Sequence, residues 1–148
     1  MLPDNEPCPH CGRYKNRRVA VDALIIRNNE ILLIKRGVEP FKNTWSLPGG
    51  GIEFNETSEE ALKKEVEEEV GLKIVSSKFL NIYTKPERDP KQVIALAYLV
   101  EAEGEPKAGS DAYSYQFFKL DQLPEVMGFD HKQIIQDYLS SLHVQPSR

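Results

Sequence analysis

The chain has 148 residues, 40% hydrophobic and 28% charged, an ordinary composition for one globular domain with a real core. Its net charge of −4 argues against a nucleic-acid duplex as the main partner, because proteins that bind one are usually basic. No apolar run approaches the roughly 18 residues that span a bilayer. The acidic, proline-containing start shows no hydrophobic signal region, so the expected location is cytoplasmic.

Residues 1–17 read as a flexible lead ahead of a domain at 18–148. The lead holds the only two cysteines, in Cys8-Pro9-His10-Cys11-Gly12. This is a knuckle with two ligands, and closed structural zinc sites want four. His10 lies inside the knuckle and can hardly join it. The leading reading is the remnant of a lost zinc ribbon, with a monomer that holds no stoichiometric zinc. Zinc shared between two chains, or with His131 or His143, comes next. A redox dithiol is last, since no thioredoxin-like pattern surrounds the pair.

Residues 19–27 form a β-rich run, expected to be a strand buried on both faces. Asn28-Asn29 is a turn signal, and 31–36 is the returning strand of a hairpin. Residues 37–44 are a loop, and Trp45-Ser46-Leu47 leads into Pro48-Gly49-Gly50-Gly51. The glycines are expected to allow a tight turn and close backbone approach by a ligand. Past a helix, 73–83 is a long strand. The polar loop 85–91 precedes an apolar strand at 92–101. A second loop, 104–114, leads to a short aromatic strand at 115–120. Residues 130–142 form a helix, with Ile134, Ile135, Tyr138, Leu139 and Leu142 at helical spacing. Strands with two helices interspersed imply an α/β fold, a mixed sheet covered on both sides.

The most specified stretch is 49–72. Thr57 and Glu60 fit a capping box that starts its helix, and Gly71 suits the left-handed residue that stops it. Leu62, Val66 and Val70 make an apolar stripe. Glu60–Lys64 and Lys63–Glu67 have the spacing of ion pairs. The third face carries Ala61, Glu65, Glu68 and Glu69, with no cation at its centre. Clustered carboxylates repel one another. A hard divalent cation such as Mg²⁺ removes the conflict and keeps positions for water and substrate phosphate.

This stretch resembles the Nudix box, G-x5-E-x7-R-E-U-x-E-E-x-G-U, where U is a bulky aliphatic. Gly50 opens it and Glu56 follows. Then come Lys64-Glu65-Val66, Glu68-Glu69 and Gly71-Leu72. The departure is Lys64, where the family usually has an Arg that pairs with a carboxylate; Lys keeps the charge and loses the bidentate fork. The resemblance covers about 19–142 and implies the family's α/β/α sandwich.

It also implies a chemistry. Nudix enzymes hydrolyse a pyrophosphate linked to a second group, usually a nucleoside, with metal ions neutralising charge and activating water. Glu65, Glu68 and Glu69 match the family's metal ligands and catalytic carboxylates, with Gly50 beside them; the ion expected is Mg²⁺ or Mn²⁺. Glu53 and Glu56 lie ahead of the helix, and Glu56 either binds metal or orients the others. Asp111, in Gly109-Ser110-Asp111, is the candidate for a late-loop carboxylate, as ligand or base, against the alternative of a turn Asp. Arg36, Gly50, Gly51 and Arg88 are assigned to substrate, the arginines to phosphate. For both arginines the competing reading is surface charge. Trp45 and Tyr83 read as packing rather than base-stacking residues, and His131 as structural.

The expected partner is a small-molecule nucleotide, with no nucleic acid and no membrane; a homodimer is left open. Pro86, fourteen residues after Leu72, and Arg88-Asp89-Pro90 resemble the ADP-ribose pyrophosphatase branch. Hydrolysis of ADP-ribose to AMP and ribose 5-phosphate is therefore the leading expectation. A pyrophosphohydrolase that sanitises nucleoside triphosphates or oxidised nucleotides is second. A non-catalytic, nucleotide-binding regulator on the same fold is third, and the full carboxylate set argues against it.

Overall fold

The computed structural model describes residues 2–109 and 112–142. Nine elements follow the lead. β1 (Val19–Arg27) and β2 (Glu30–Arg36) are followed by two short strands, β3 (Trp45–Ser46) and β4 (Gly49–Gly51). Helix α1 (Ser58–Val70), the strands β5 (Lys73–Tyr83), β6 (Ile94–Glu103) and β7 (Ala112–Lys119), and helix α2 (His131–Ser141) complete the elements of the described residues.

The hairpin forms as expected. Asn28 and Asn29 both take positive φ, 52° and 63°, the pairing a tight hairpin turn requires and asparagine tolerates. The pairing is brief, however: β1 meets β2 at Ile26↔Ile31 and Arg27↔Glu30. Further down, β4 takes β1 instead, at Ala20↔Gly51, Val21↔Gly50 and Asp22↔Gly49. On its other side β1 runs parallel to β6 from Val19↔Ile94 to Ile25↔Val100. β5 lies antiparallel to β6 at one edge, and β2 pairs antiparallel with both β3 and β7. The sheet is mixed.

Both faces are covered because β1 and β2 alternate in burial direction. Val21, Ala23, Ile25, Leu32 and Ile34 pack with Ala61, Leu62, Val66 and Val70 of α1. Leu24, Ile31 and Leu33 pack with Ile134 and Ile135 of α2. At roughly 1.5–3 kcal/mol for each buried large aliphatic side chain, this double core dominates the folding energy. Trp45 belongs to the α2 layer, edge-on to Phe118 at 4.9 Å. Tyr83 does too, and its hydroxyl donates to Asp137 Oδ2 at 2.8 Å.

Three sequence expectations change. The glycines 49–51 do not turn; they are extended and laddered to β1. The loop at 104–114 is shorter, since β7 already begins at Ala112, held by β2. The loop at 85–91 contains a 3₁₀ turn, Pro86–Arg88. Among the described residues no helix is long and apolar enough to cross a membrane.

Candidate active site

Helix α1 is fixed at both ends by its own sequence. The Thr57 hydroxyl accepts from Glu60 N–H at 3.1 Å, and Glu60 Oε1 accepts from Thr57 N–H at 2.9 Å. Gly71 ends the helix at φ 68°, its N–H on the Glu67 carbonyl. Two further end carbonyls are closed from a distant loop: Gly109 N–H donates to Glu69 O and Lys107 N–H to Val70 O. These bonds satisfy acceptors that a helix C-terminus leaves open. The last turn carries no basic residue but does carry Glu68 and Glu69, which the helix dipole disfavours there. Their placement serves something other than helix stability.

Glu69 is buried. Its Oε1 accepts the Gly49 N–H at 2.7 Å. Burial raises its pKa to about 8; the Gly49 bond opposes this, while Glu65 and Asp22 nearby raise it further. Glu65 is half-buried and lies against Gly50. A Cβ on Gly50 would come 2.6 and 2.7 Å from the two Glu65 carboxylate oxygens. A Cβ on Gly49 would run into the Val21 carbonyl and Asp22. Gly49 is crowded by the backbone and the Asp22 side chain of β1, and Gly50 by the helix carboxylate of Glu65. Glu68 is exposed beside them.

Lys64 does not pair with Glu60, whose carboxylate caps the helix. It turns to Glu56 at 2.8 Å and to Glu65 at 3.9 Å. The ammonium holds Glu56 below the usual carboxylate range. Glu56 also accepts the Glu53 N–H at 2.8 Å. The Lys64–Glu56 pair thus ties the loop to the helix.

Beside Glu69, a cavity of about 90 Å³ is lined by Asp22, Arg36, Gly49, Gly50, Arg88, Asp89, Phe129 and His131 among others. A larger hollow, bordered by Asp4, Lys15, Arg17 and Gln92, contains none of these carboxylates. Charge, not volume, marks the site. Arg36 donates Nε to the Pro40 carbonyl at 2.7 Å and lies over the Phe129 ring at 5.0 Å. Arg88 is not a surface charge: its side chain is 3% exposed. Its Nε and Nη2 bind Asp130 Oδ1 at 3.0 and 2.9 Å, and Nη1 donates to the Val93 carbonyl at 2.7 Å. Arg88 builds the wall and holds α2 against the 3₁₀ turn. His131 is buried. Its Nδ1 accepts the Leu47 N–H at 2.9 Å, which leaves the proton on Nε2, 3.4 Å from Asp22 Oδ2. Asp22 and Asp89, both buried, were missed from the sequence; a lone Asp inside an apolar strand was the available signal for the first. Asp111 lies outside the described residues, as do Ser110 and His143.

Among the described residues no three His, Cys, Asp or Glu side chains already converge on one point as a closed cage. The donor set nevertheless fits a hard divalent cation. Glu65, Glu68 and Glu69 lie on one face of the C-terminal half of α1, and the buried Glu69 carboxyl has two carboxylates, one N–H and the Arg36 guanidinium as its described neighbours of consequence. A dication there lowers the cost of keeping it charged.

A family model described as "NUDIX domain" matches residues 16–138. The chain is 45% identical over 128 residues to the ADP-ribose pyrophosphatase of Methanocaldococcus jannaschii, covering 85% of this chain and 75% of that protein. It is 36% identical over 96 residues to the 8-oxo-dGTP diphosphatase of Escherichia coli K12, covering 62% and 72%. A solved MutT/nudix family protein from Enterococcus faecalis shares the architecture, with a TM-score of 0.78 at 27% identity over 88% of this chain and 64% of that one.

Proposed function

The chain belongs to the Nudix family of pyrophosphohydrolases, and from that premise we propose that it hydrolyses ADP-ribose to AMP and ribose 5-phosphate. The observation that carries the substrate is the 45% identity to an ADP-ribose pyrophosphatase across 85% of this chain. The geometry supports the chemistry. Glu65 and Glu69 pack onto Gly50 and Gly49, next to a cavity with Arg36 on its wall.

Glu65, Glu68 and Glu69, with Gly50 beside them, would hold the divalent ion, which is Mg²⁺ or Mn²⁺ in this reading. When bound, the ion neutralises phosphate charge and makes water a better nucleophile. The residues themselves do the rest. The Gly49 N–H orients the Glu69 carboxyl. Lys64 and Glu56 fix the loop on the helix. Arg36 offers positive charge to the substrate phosphates, and Gly50 and Gly51 let the substrate approach the backbone closely. Asp111 is the candidate late-loop carboxylate, as ligand or base. Water adds to one phosphorus, the bond from that phosphorus to the bridging oxygen breaks, and two monophosphates leave. The substrate is a free nucleotide, with no nucleic acid or membrane involved, and the expected setting is the cytoplasm.

A product assay over ADP-ribose, dinucleoside polyphosphates and nucleoside triphosphates tests this. AMP and ribose 5-phosphate from ADP-ribose are expected. Pyrophosphate release from triphosphates, with ADP-ribose untouched, would move the chain toward the activity named for its Escherichia coli relative.

A further inference from the structure

We propose that Cys8 and Cys11 form half of a thiolate site, which two copies of this chain close around one Zn²⁺ ion. The two cysteines have the C-x₂-C spacing of one arm of a zinc site. The backbone between them is shaped for that task. Gly12 N–H donates to the Cys8 carbonyl at 2.8 Å, Cys8 N–H donates to the Arg13 carbonyl at 2.7 Å, and Gly12 takes φ +74°. The thiolate is the form of each cysteine that binds metal.

The arm is presented outward. Cys8 is half-buried and Cys11 and His10 are exposed. Lys15 pairs with Asp4 at 2.7 Å within the lead, and the stem is docked on the domain by Arg17, which donates to the carbonyls of Gln92 and Thr84. One chain cannot complete the site from its described residues, which bring no third His, Cys, Asp or Glu to the pair. The sequence holds no other cysteine. A second copy supplies an identical pair, so two arms give the four sulfur ligands that a structural zinc site takes. Each thiol gives up its proton to buffer as the metal binds. A single chain then holds no zinc of its own, as the knuckle's ligand count implies, and the metal is a property of the pair.

The test uses the full chain, reduced and stripped of metal, titrated with Co²⁺ as a spectroscopic stand-in and then with Zn²⁺. The expected result is a thiolate-to-cobalt charge-transfer band that saturates at one metal per two chains. The mass by light scattering doubles at the same point. A Cys8→Ser, Cys11→Ser variant should lose both while keeping its circular dichroism and its Mg²⁺-supported turnover. Saturation at one metal per chain in a monomer would overturn the proposal, because ligands from within the chain, such as His143, then close the site. Absence of the band, or the same band in the double variant, would overturn it as well.

Discussion

The Gly49 N–H donates to Glu69 Oε1 at 2.7 Å across twenty residues of chain. This bond fixes a buried carboxyl to an extended strand of glycines. It therefore couples the end of α1 to β1, which holds that strand in register.

Glu69→Gln should keep the shape of this contact and lose the charge. Turnover should fall by about a hundredfold or more, the several kcal/mol that a correctly held metal supplies, while circular dichroism stays unchanged. Activity within a few-fold of the parent, in a folded variant, would remove Glu69 from the ligand set.

Metal-free protein should lose stability as pH rises. The Glu69 carboxyl is raised from 4.5 to about 8 by folding, so the folded state binds more protons than the unfolded chain between those values. Its contribution is fully present below about 4.5 and is lost as pH rises through about 8. Melting temperature in EDTA should therefore decline across that window, and Glu69→Gln should flatten the decline. Added Mg²⁺ should restore the loss most at the alkaline end, because binding favours the deprotonated carboxyl. A flat profile in EDTA would contradict this account.

The two glycines should fail differently. In Gly50→Ala the new Cβ meets the end of the Glu65 side chain, which can swing away. Melting temperature should change little while turnover drops. In Gly49→Ala the obstacle is the Val21 backbone carbonyl, which cannot yield cheaply. A loss of about 2 kcal/mol or more is expected there. Denaturant titration and kinetics on both variants separate the two effects.

Asp130→Ala should destabilise by about 3 kcal/mol, because it strands the buried Arg88 guanidinium. The double change with Arg88→Met should recover much of that loss. Were Arg88 a surface charge, the single variant would sit within about 0.5 kcal/mol of the parent.

The sequence was most legible where the determinants are local. Thr57, Glu60 and Gly71 specify α1 within their own neighbourhood, and Asn28-Asn29 specifies the hairpin turn. The helix carboxylates and glycines were legible as a set from their spacing. What could not be read was which distant groups meet them. Gly49–Gly51 is a strand because β1 pairs with it, not because glycine favours strands. Arg88 and Asp130 are 42 residues apart, and His131 accepts from a backbone N–H 84 residues away. Lys64 had two acidic candidates, and the helix cap took one of them.

β1 changes partner along its length, from β4 near Asp22 to β2 near Arg27. The carboxylates and glycines of the proposed site gather at the β4 end. The Asn28-Asn29 turn begins six residues beyond Asp22 along the strand, about 20 Å at 3.4 Å per residue. That tip is accordingly an engineering handle: a fluorophore, an affinity peptide or an inserted module placed there should leave catalysis undisturbed.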